Sequence, residues 1–296
     1  MRNSTNPDLI FRKPCVGRLS SLSNDGRRWR VKCIRAGSRL IVKCYPVRAD
    51  YTQVRHHRGR SRPAQNSLNL RNSMEQFRLL SLNNFSGSDL FVTLTFSDEP
   101  DERVFHLDQK VFLERMKYFF RKLRNLAQRE IKYIGCREDI NENNDPIRTH
   151  VHLLISGASK EEIDKAWPYG EIKRIEKTGQ NIDNIISYCC KTFPHKEDNA
   201  QRYIRSKKLV PPDESDSKTL DLRNAEDWDE LEAILSYPKE YFEEFYPDYI
   251  LPDEPKIWQS EFISGYYLNA ELVNRHSPDW QVMAKARRLT GVYDPP

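Results

Sequence analysis

The apolar residues between Leu90 and Phe193 change their spacing in a fixed order, and that order leaves few folds open. "LFVTLTF" (90–96) is β-branched and aromatic, and reads as a strand with Thr93 and Thr95 on one face. Residues 108–130 take up a helical period: Phe112, Met116, Phe119, Phe120 and Leu123 line one side, and Asp108 stands where an N-cap belongs. "IKYIGCRED" (131–139) reads as a second strand, and the turn-rich "NENNDPIR" leads into a third, "RTHVHLLI" (148–155). "SKEEIDKAW" opens with Ser159 and Glu162 at capping-box spacing, so a short helix starts there. "YGEIKRIE" is a fourth strand, and "NIDNIISYCCKTF" (181–193) a further helix. Strand, helix, strand, strand, helix, strand is the ferredoxin-like βαββαβ order. An α+β domain with a central antiparallel sheet is therefore expected over residues 88–212. Binding proteins, regulators and nucleases all use this fold, so it does not choose a function.

Charge separates the flanking regions. Residues 1–78 hold 18 Lys and Arg against 4 Asp and Glu, whereas residues 213–296 hold 8 against 19. A basic front end suggests a polyanionic partner, nucleic acid being the usual one. Residues 1–87 read as a basic N-terminal segment. It holds a β-hairpin, "RRWRVKCI" and "SRLIVKCYPV" joined by "RAGS", and then a flexible arm around "VRHHRGRSRPAQ" suited to phosphate contact. Residues 213–296 read as an acidic, aromatic, helical region that binds a partner. No apolar run approaches the ~20 residues that span a bilayer, and the N-terminus lacks a signal-peptide core. A cytoplasmic protein with no membrane partner is expected. The six cysteines contain no C-x-x-C pair, which argues against zinc fingers and fits reduced thiols.

Two small constellations carry the chemistry. Side chains alternate along a strand, so His150 and His152 share one face while Val151 and Leu153 share the other. On the last helix, Ile182, Ile185, Ile186, Cys189 and Phe193 form an apolar stripe, which turns Tyr188 and Lys191 together to the open side. Either pair alone is more often incidental than functional. Their joint presence, in this order and on this fold, is what singles them out.

Over residues 90–212 the chain resembles an HUH endonuclease, a rolling-circle replication initiator named for two histidines around a hydrophobic residue. His150-Val151-His152 matches that motif, "FVTLTF" the family's first motif, and "YCCK" its Y-x-x-K nucleophile helix. "YIGCRED", "WPYGEIKRI" and "RYIRSKKLVPP" are similar to stretches of initiators from gokushovirus-type microviruses and related bacterial plasmids and phages. The resemblance implies a divalent metal, Mg²⁺ or Mn²⁺, held by His150, His152 and a third ligand. Glu138 is the first choice for that ligand, with Asp139 and His195 as alternates. It implies Tyr188 as nucleophile, with Lys191 stabilising the leaving oxygen or lowering the tyrosine's pKa. Lys117, Arg121, Arg124, Arg148, Arg202 and Arg205 would hold single-stranded or hairpin origin DNA, although a solvated face explains the helix cations equally well. Many relatives carry a second tyrosine where Asn184 stands here, so a single-tyrosine initiator is expected. No G-x-x-x-x-G-K-[ST] occurs, so unwinding falls to a host helicase and synthesis to a host polymerase, in a bacterial cytoplasm. Two other readings stay open: a relaxase or single-tyrosine transposase, and a non-catalytic nucleic-acid-binding regulator on the same fold.

Overall fold

The computed structural model describes residues 28–47, 63–96, 107–141, 143, 145–179, 182–191, 193, 202–259, 266–278 and 280–281. It is a mixed α+β structure with two antiparallel sheets and, among the described residues, six helices. In chain order the elements are β1 (Arg28–Ala36), β2 (Arg39–Val47), α1 (Pro63–Asn84), β3 (Leu90–Thr95), α2 (Gln109–Ala127), β4 (Lys132–Ile140), β5 (Pro146–Ser156) and α3 (Lys160–Ala166). They continue with β6 (Ile172–Lys177), α4 (Ile182–Cys190), β7 (Ile204–Arg205), β8 (Lys218–Asp221), α5 (Ala225–Ser236), α6 (Pro238–Phe245), β9 (Tyr249–Ile250), β10 (Lys256–Gln259) and β11 (Tyr266–Asn274). The chain divides into two compact units. Residues 59–211 form one, and residues 1–58 with 212–296 form the other.

In the central unit the sheet runs β6-β3-β5-β4-β7, antiparallel throughout. The helical period expected of residues 108–130 is realised in α2, whose Phe112, Met116, Phe119, Phe120 and Leu123 are all buried. They pack with Val92, Leu94, Val151, Leu153, Ile155 and, from α3, Ile163. Each such side chain taken from water stabilises the fold by roughly 1.5–3 kcal/mol. Asp108 caps α2 by accepting from the Lys110 and Val111 amides (2.7 and 3.3 Å). The capping box at α3 is complete: Glu162 N donates to Ser159 Oγ, and Ser159 N to Glu162 Oε2.

Helix α1 is a departure from the expected arm. "VRHHRGRSR" lies outside the described residues, but from Pro63 onward the chain is helical as far as Asn84. Proline suits the first helical turn, where its missing N–H has no partner to lose. The apolar residues of α1 crowd into its second half, where Phe77, Leu79, Leu80 and Leu82 are buried. Its first half is almost wholly polar, so no continuous stripe marks the helix in the sequence.

The terminal unit is built on the sheet β10-β11-β2-β1-β8, with β9 pairing β11. The expected hairpin is present as β1 and β2, turning at Gly37, whose φ of 58° suits the first position of a two-residue turn. Residues 213–296 were expected to be helical. They hold α5 and α6 but also four strands, and β8 and β11 pair with β1 and β2 respectively. The reason lies in Tyr266–Asn274, where buried Tyr266, Leu268, Ala270 and Leu272 alternate with half-buried neighbours at strand period. Trp29, Val31, Val42, Cys44 and Leu268 pack on one face of this sheet with Leu231, Ile234 and Leu235 of α5 and Phe242 of α6.

Candidate active site

Strand register places the two histidines. His152 lies between Thr93 on β3 and Cys136 on β4, and His150 lies between Thr95 and Glu138. Val151 and Leu153 face the α2 core, so both imidazoles are on the other side of the sheet. Close strand approach is built in at Gly135, where a Cβ would stand 2.1 Å from the His152 carbonyl oxygen. Glycine alone fits there.

His152 is buried and held at both nitrogens. Its Nε2 donates to Glu138 Oε2 (2.8 Å), so in the neutral tautomer Nδ1 accepts from Thr93 Oγ1 (3.1 Å). Phe91 lies nearly parallel to the imidazole at 6.2 Å between centroids. Tyr188 meets the ring edge-on, at 4.9 Å and 83°. His150 is half-buried, and its Nδ1 is buried with no hydrogen-bond partner, like the neighbouring Thr95 Oγ1. Burial pushes the His150 pKa down, with help from Lys173 and His152 and against the pull of Glu138. A neutral imidazole with an open lone pair follows.

Helix α4 supplies the tyrosine as its stripe requires. Ile182, Ile185, Ile186 and Cys189 are buried, while Tyr188 keeps 43% of its surface exposed. Lys191, just past the helix, is exposed. The phenol's pKa is raised, mainly by burial and then by Glu138; the cation that opposes this is Arg174. The lowering influence assigned above to Lys191 thus comes from β6. There the strand carries a bulge: Thr93 pairs with Arg174 and Leu94 with Ile172, leaving Lys173 as the extra residue. Ile172 and Ile175 both pack against the α2 core, three apart where a regular strand would alternate. Lys173 and Arg174 are therefore both turned away from it, and both are exposed. Arg174 also lies over the Phe91 ring, 5.8 Å from its centroid. The signal for these two cations was the Ile-x-x-Ile spacing in "EIKRIE", which is wrong for an unbroken strand.

The other expected site residues fall into two groups. Arg148 lowers the His150 pKa and shares its face of β5, and Arg205 pairs with Ile134 at the sheet edge. Arg202 donates to the Phe193 carbonyl (2.9 Å). Lys117, Arg121 and Arg124 are exposed on α2, which covers the opposite face of the sheet, so they do not converge on the histidines. Of the alternate ligands, Asp139 is engaged on that opposite face by Arg137 and Thr149 (2.8 Å each). His195 lies outside the described residues.

The donor set suits a divalent cation. Two imidazoles and a carboxylate stand on adjacent strands, one imidazole nitrogen is buried without a partner, and a proton lies between His152 and Glu138 where a cation could replace it. The three are not closed into a cage: no group of three or more His, Cys, Asp or Glu is gathered as a metal cluster among the described residues.

Residues 89–197, which span the histidine strand and the tyrosine helix, match the family model of the Replication-associated protein of the ORF2 and gene-2-protein type, and this part of the chain belongs to that family. No curated protein and no solved structure matches the chain. Among the described residues no helix is long and apolar enough to cross a membrane.

Proposed function

We propose that this replication-associated protein is an origin-nicking initiator, with Tyr188 as nucleophile on a ferredoxin-like HUH domain spanning residues 88–212. The strand order β6-β3-β5-β4, with α2 and α3 in the crossovers, supports that fold reading. The observation that carries the chemistry is the edge-on contact of Tyr188 with His152, which in turn bonds Glu138. A nucleophile and the three candidate metal ligands thereby share one face of one sheet.

His150, His152 and Glu138 would hold Mg²⁺ or Mn²⁺, which when bound neutralises charge on the scissile phosphate and orients it. Tyr188 Oη attacks phosphorus in line, forming a Tyr–O–P bond to the 5′ phosphate. The P–O3′ bond breaks, and the leaving oxygen takes up a proton as a free 3′-OH. The ester energy is retained in the phosphotyrosine link, so rejoining can follow at the same site. Arg174 and Lys173 supply positive charge beside the phenol and the imidazoles, and Lys191 stands next to the leaving group. The strand must be single or extruded, because a duplex hides the backbone geometry that an in-line attack requires.

A gel for the covalent adduct tests this reading. Purified protein is incubated with origin-containing single-stranded DNA and Mn²⁺, alongside EDTA, Tyr188→Phe and His150→Ala/His152→Ala controls. A shifted band that needs both metal and Tyr188 is the expected result. Intact DNA binding with no band on any origin strand would favour the second reading, a non-catalytic DNA-binding regulator. The closed Glu138–His152 hydrogen bond is the observation on that side.

A further inference from the structure

The sheet of the terminal unit is covered on one face only by α5 and α6, and its other face carries an ordered set of side chains. Trp29, Val31, Cys44, Leu268 and Ile257 point toward the helices. Alternation then turns Arg30, Lys32, Lys43, Tyr45, Tyr267, Asn269 and Trp258 the opposite way. Register sorts these into two neighbouring rows. One runs Thr219, Arg30, Tyr45 by strand pairing, and continues through Tyr267 to Trp258. The other runs Lys32, Lys43, Asn269, Lys256.

The first row holds an aromatic ladder on three adjacent strands. Tyr45 and Tyr267 lie 6.3 Å apart with planes 9° from parallel, and Tyr267 and Trp258 lie 5.6 Å apart at 18°. Trp258, on the edge strand β10, leaves 48% of its surface exposed. A large aromatic in that position contributes little to a core and offers a π face to something outside. The second row lays lysines alongside the ladder on three of the same strands or their neighbour. Glu214 meets Lys32 at one flank (3.0 Å), and Arg30 is oriented by Thr219 Oγ1 (3.1 Å). Aromatic rings flanked by a line of cations match a flexible polyanion whose units carry flat rings. That is the chemistry of a single nucleic-acid strand.

We propose that this open face binds single-stranded DNA without sequence preference, bases stacking on Trp258, Tyr267 and Tyr45 and phosphates meeting Arg30, Lys43 and Lys256. The choice of DNA as the strand rests on the replication reading above; the platform itself rests on the ladder and its cations. It is a second binding site, built wholly from the terminal segments, and it uses none of the residues assigned to nicking.

The test measures fluorescence anisotropy of a labelled oligothymidylate of about 12 nucleotides, within the usual span of single-strand sites. The full chain is used with Tyr188→Phe as background and EDTA present, so that no cleavage intervenes. Trp258→Ala and Tyr267→Ala are each expected to weaken binding about tenfold. Trp258→Leu, which keeps apolar bulk but has no ring, should weaken it similarly, whereas Trp258→Phe should retain most of it. Lys43→Ala/Lys256→Ala should flatten the dependence of log K on log salt by about 1.4, two phosphate contacts' worth. Unchanged affinity in a Trp258→Leu/Tyr267→Leu variant with a parental melting temperature would overturn the proposal. So would equally tight, equally ladder-dependent binding of a duplex of the same length. The adduct gel separates the two ideas. An adduct without ladder-dependent binding removes the platform alone, and ladder-dependent binding without an adduct removes the nicking alone.

Discussion

Tyr188 stands edge-on to His152, 4.9 Å between ring centroids, although the two residues come from a helix and a strand joined through two further elements. The contact links the only exposed aromatic of α4 to an imidazole that is itself fixed from both sides by Thr93 and Glu138. A ring held in this way has little freedom to swing, and a positioned nucleophile is what in-line displacement needs.

The phenol of Tyr188 is held above its ordinary pKa by burial and Glu138, against the influence of Arg174. Adduct formation should therefore rise with pH as the phenolate fraction grows. Arg174→Ala removes the opposing cation, so the rise should move to higher pH and the rate near pH 7.5 should fall by up to about tenfold, one pKa unit. A pH series of single-turnover rates measures both. An identical profile in the variant would make Arg174 a mere surface partner of Glu176.

His150 has its pKa depressed from 6.5, chiefly by burial. The unfolded chain then binds more protons than the native one as pH falls through this range, so the contribution to stability is present above pH 6.5 and lost below it. Urea midpoints in EDTA should drop between pH 7.5 and pH 5, and His150→Asn should reduce the size of that drop. Equal drops in both proteins would assign the acid sensitivity to other groups.

Metal affinity offers a separate check on the ligand set. Loss of a residue that merely supports a ligand costs about 10–100-fold in affinity, so loss of a ligand should cost at least that. Mn²⁺ titrations followed by calorimetry should show it for His150→Ala, His152→Ala and Glu138→Ala. Asp139→Ala, on the other face, should bind Mn²⁺ like the parent. The reverse order would move the third ligand to Asp139.

Gly135→Ala is a stability prediction with a site consequence. The added methyl would meet the His152 carbonyl oxygen at 2.1 Å, a backbone atom that cannot swing aside. Pushing β4 from β5 should cost about 3 kcal/mol, read from chemical denaturation. The surviving folded fraction should also lose Mn²⁺ affinity, because Glu138 travels with β4.

Much of the central unit was legible because its signals are local. The α2 stripe, the Asp108 cap, the Ser159–Glu162 box and the faces of β5 and α4 each follow from residues within a few positions of one another. What stayed hidden depended on distant partners or on a broken rule. Lys173 and Arg174 were missed because a strand was taken as unbroken, and the bulge that turns both cations outward forms only against β3. The cations of α2 were overvalued: a helix face can be read from sequence, but which side of the sheet it covers cannot. Helix α1 hid behind its polar first half. The aromatic ladder was invisible because Tyr45 and Trp258 are brought into line only by β11 between them.

That last pairing also governs the order in which the protein can be assembled during synthesis. The hairpin of β1 and β2 leaves the ribosome early, yet both of its outer edges are closed by strands from beyond residue 217: Leu40 faces Leu272, and Trp29 faces Leu220. Until those strands emerge, at some 5–20 residues per second, the hairpin waits with two unpaired edges while the intervening unit is translated. Such long-range closure is slow and exposed to aggregation. A chain cut after residue 212 would leave that state permanent. Removing the acidic tail therefore dismantles the fold of the N-terminal strands along with any partner the tail recruits, and point substitutions on α5 or α6 are the cleaner way to ask what the tail is for.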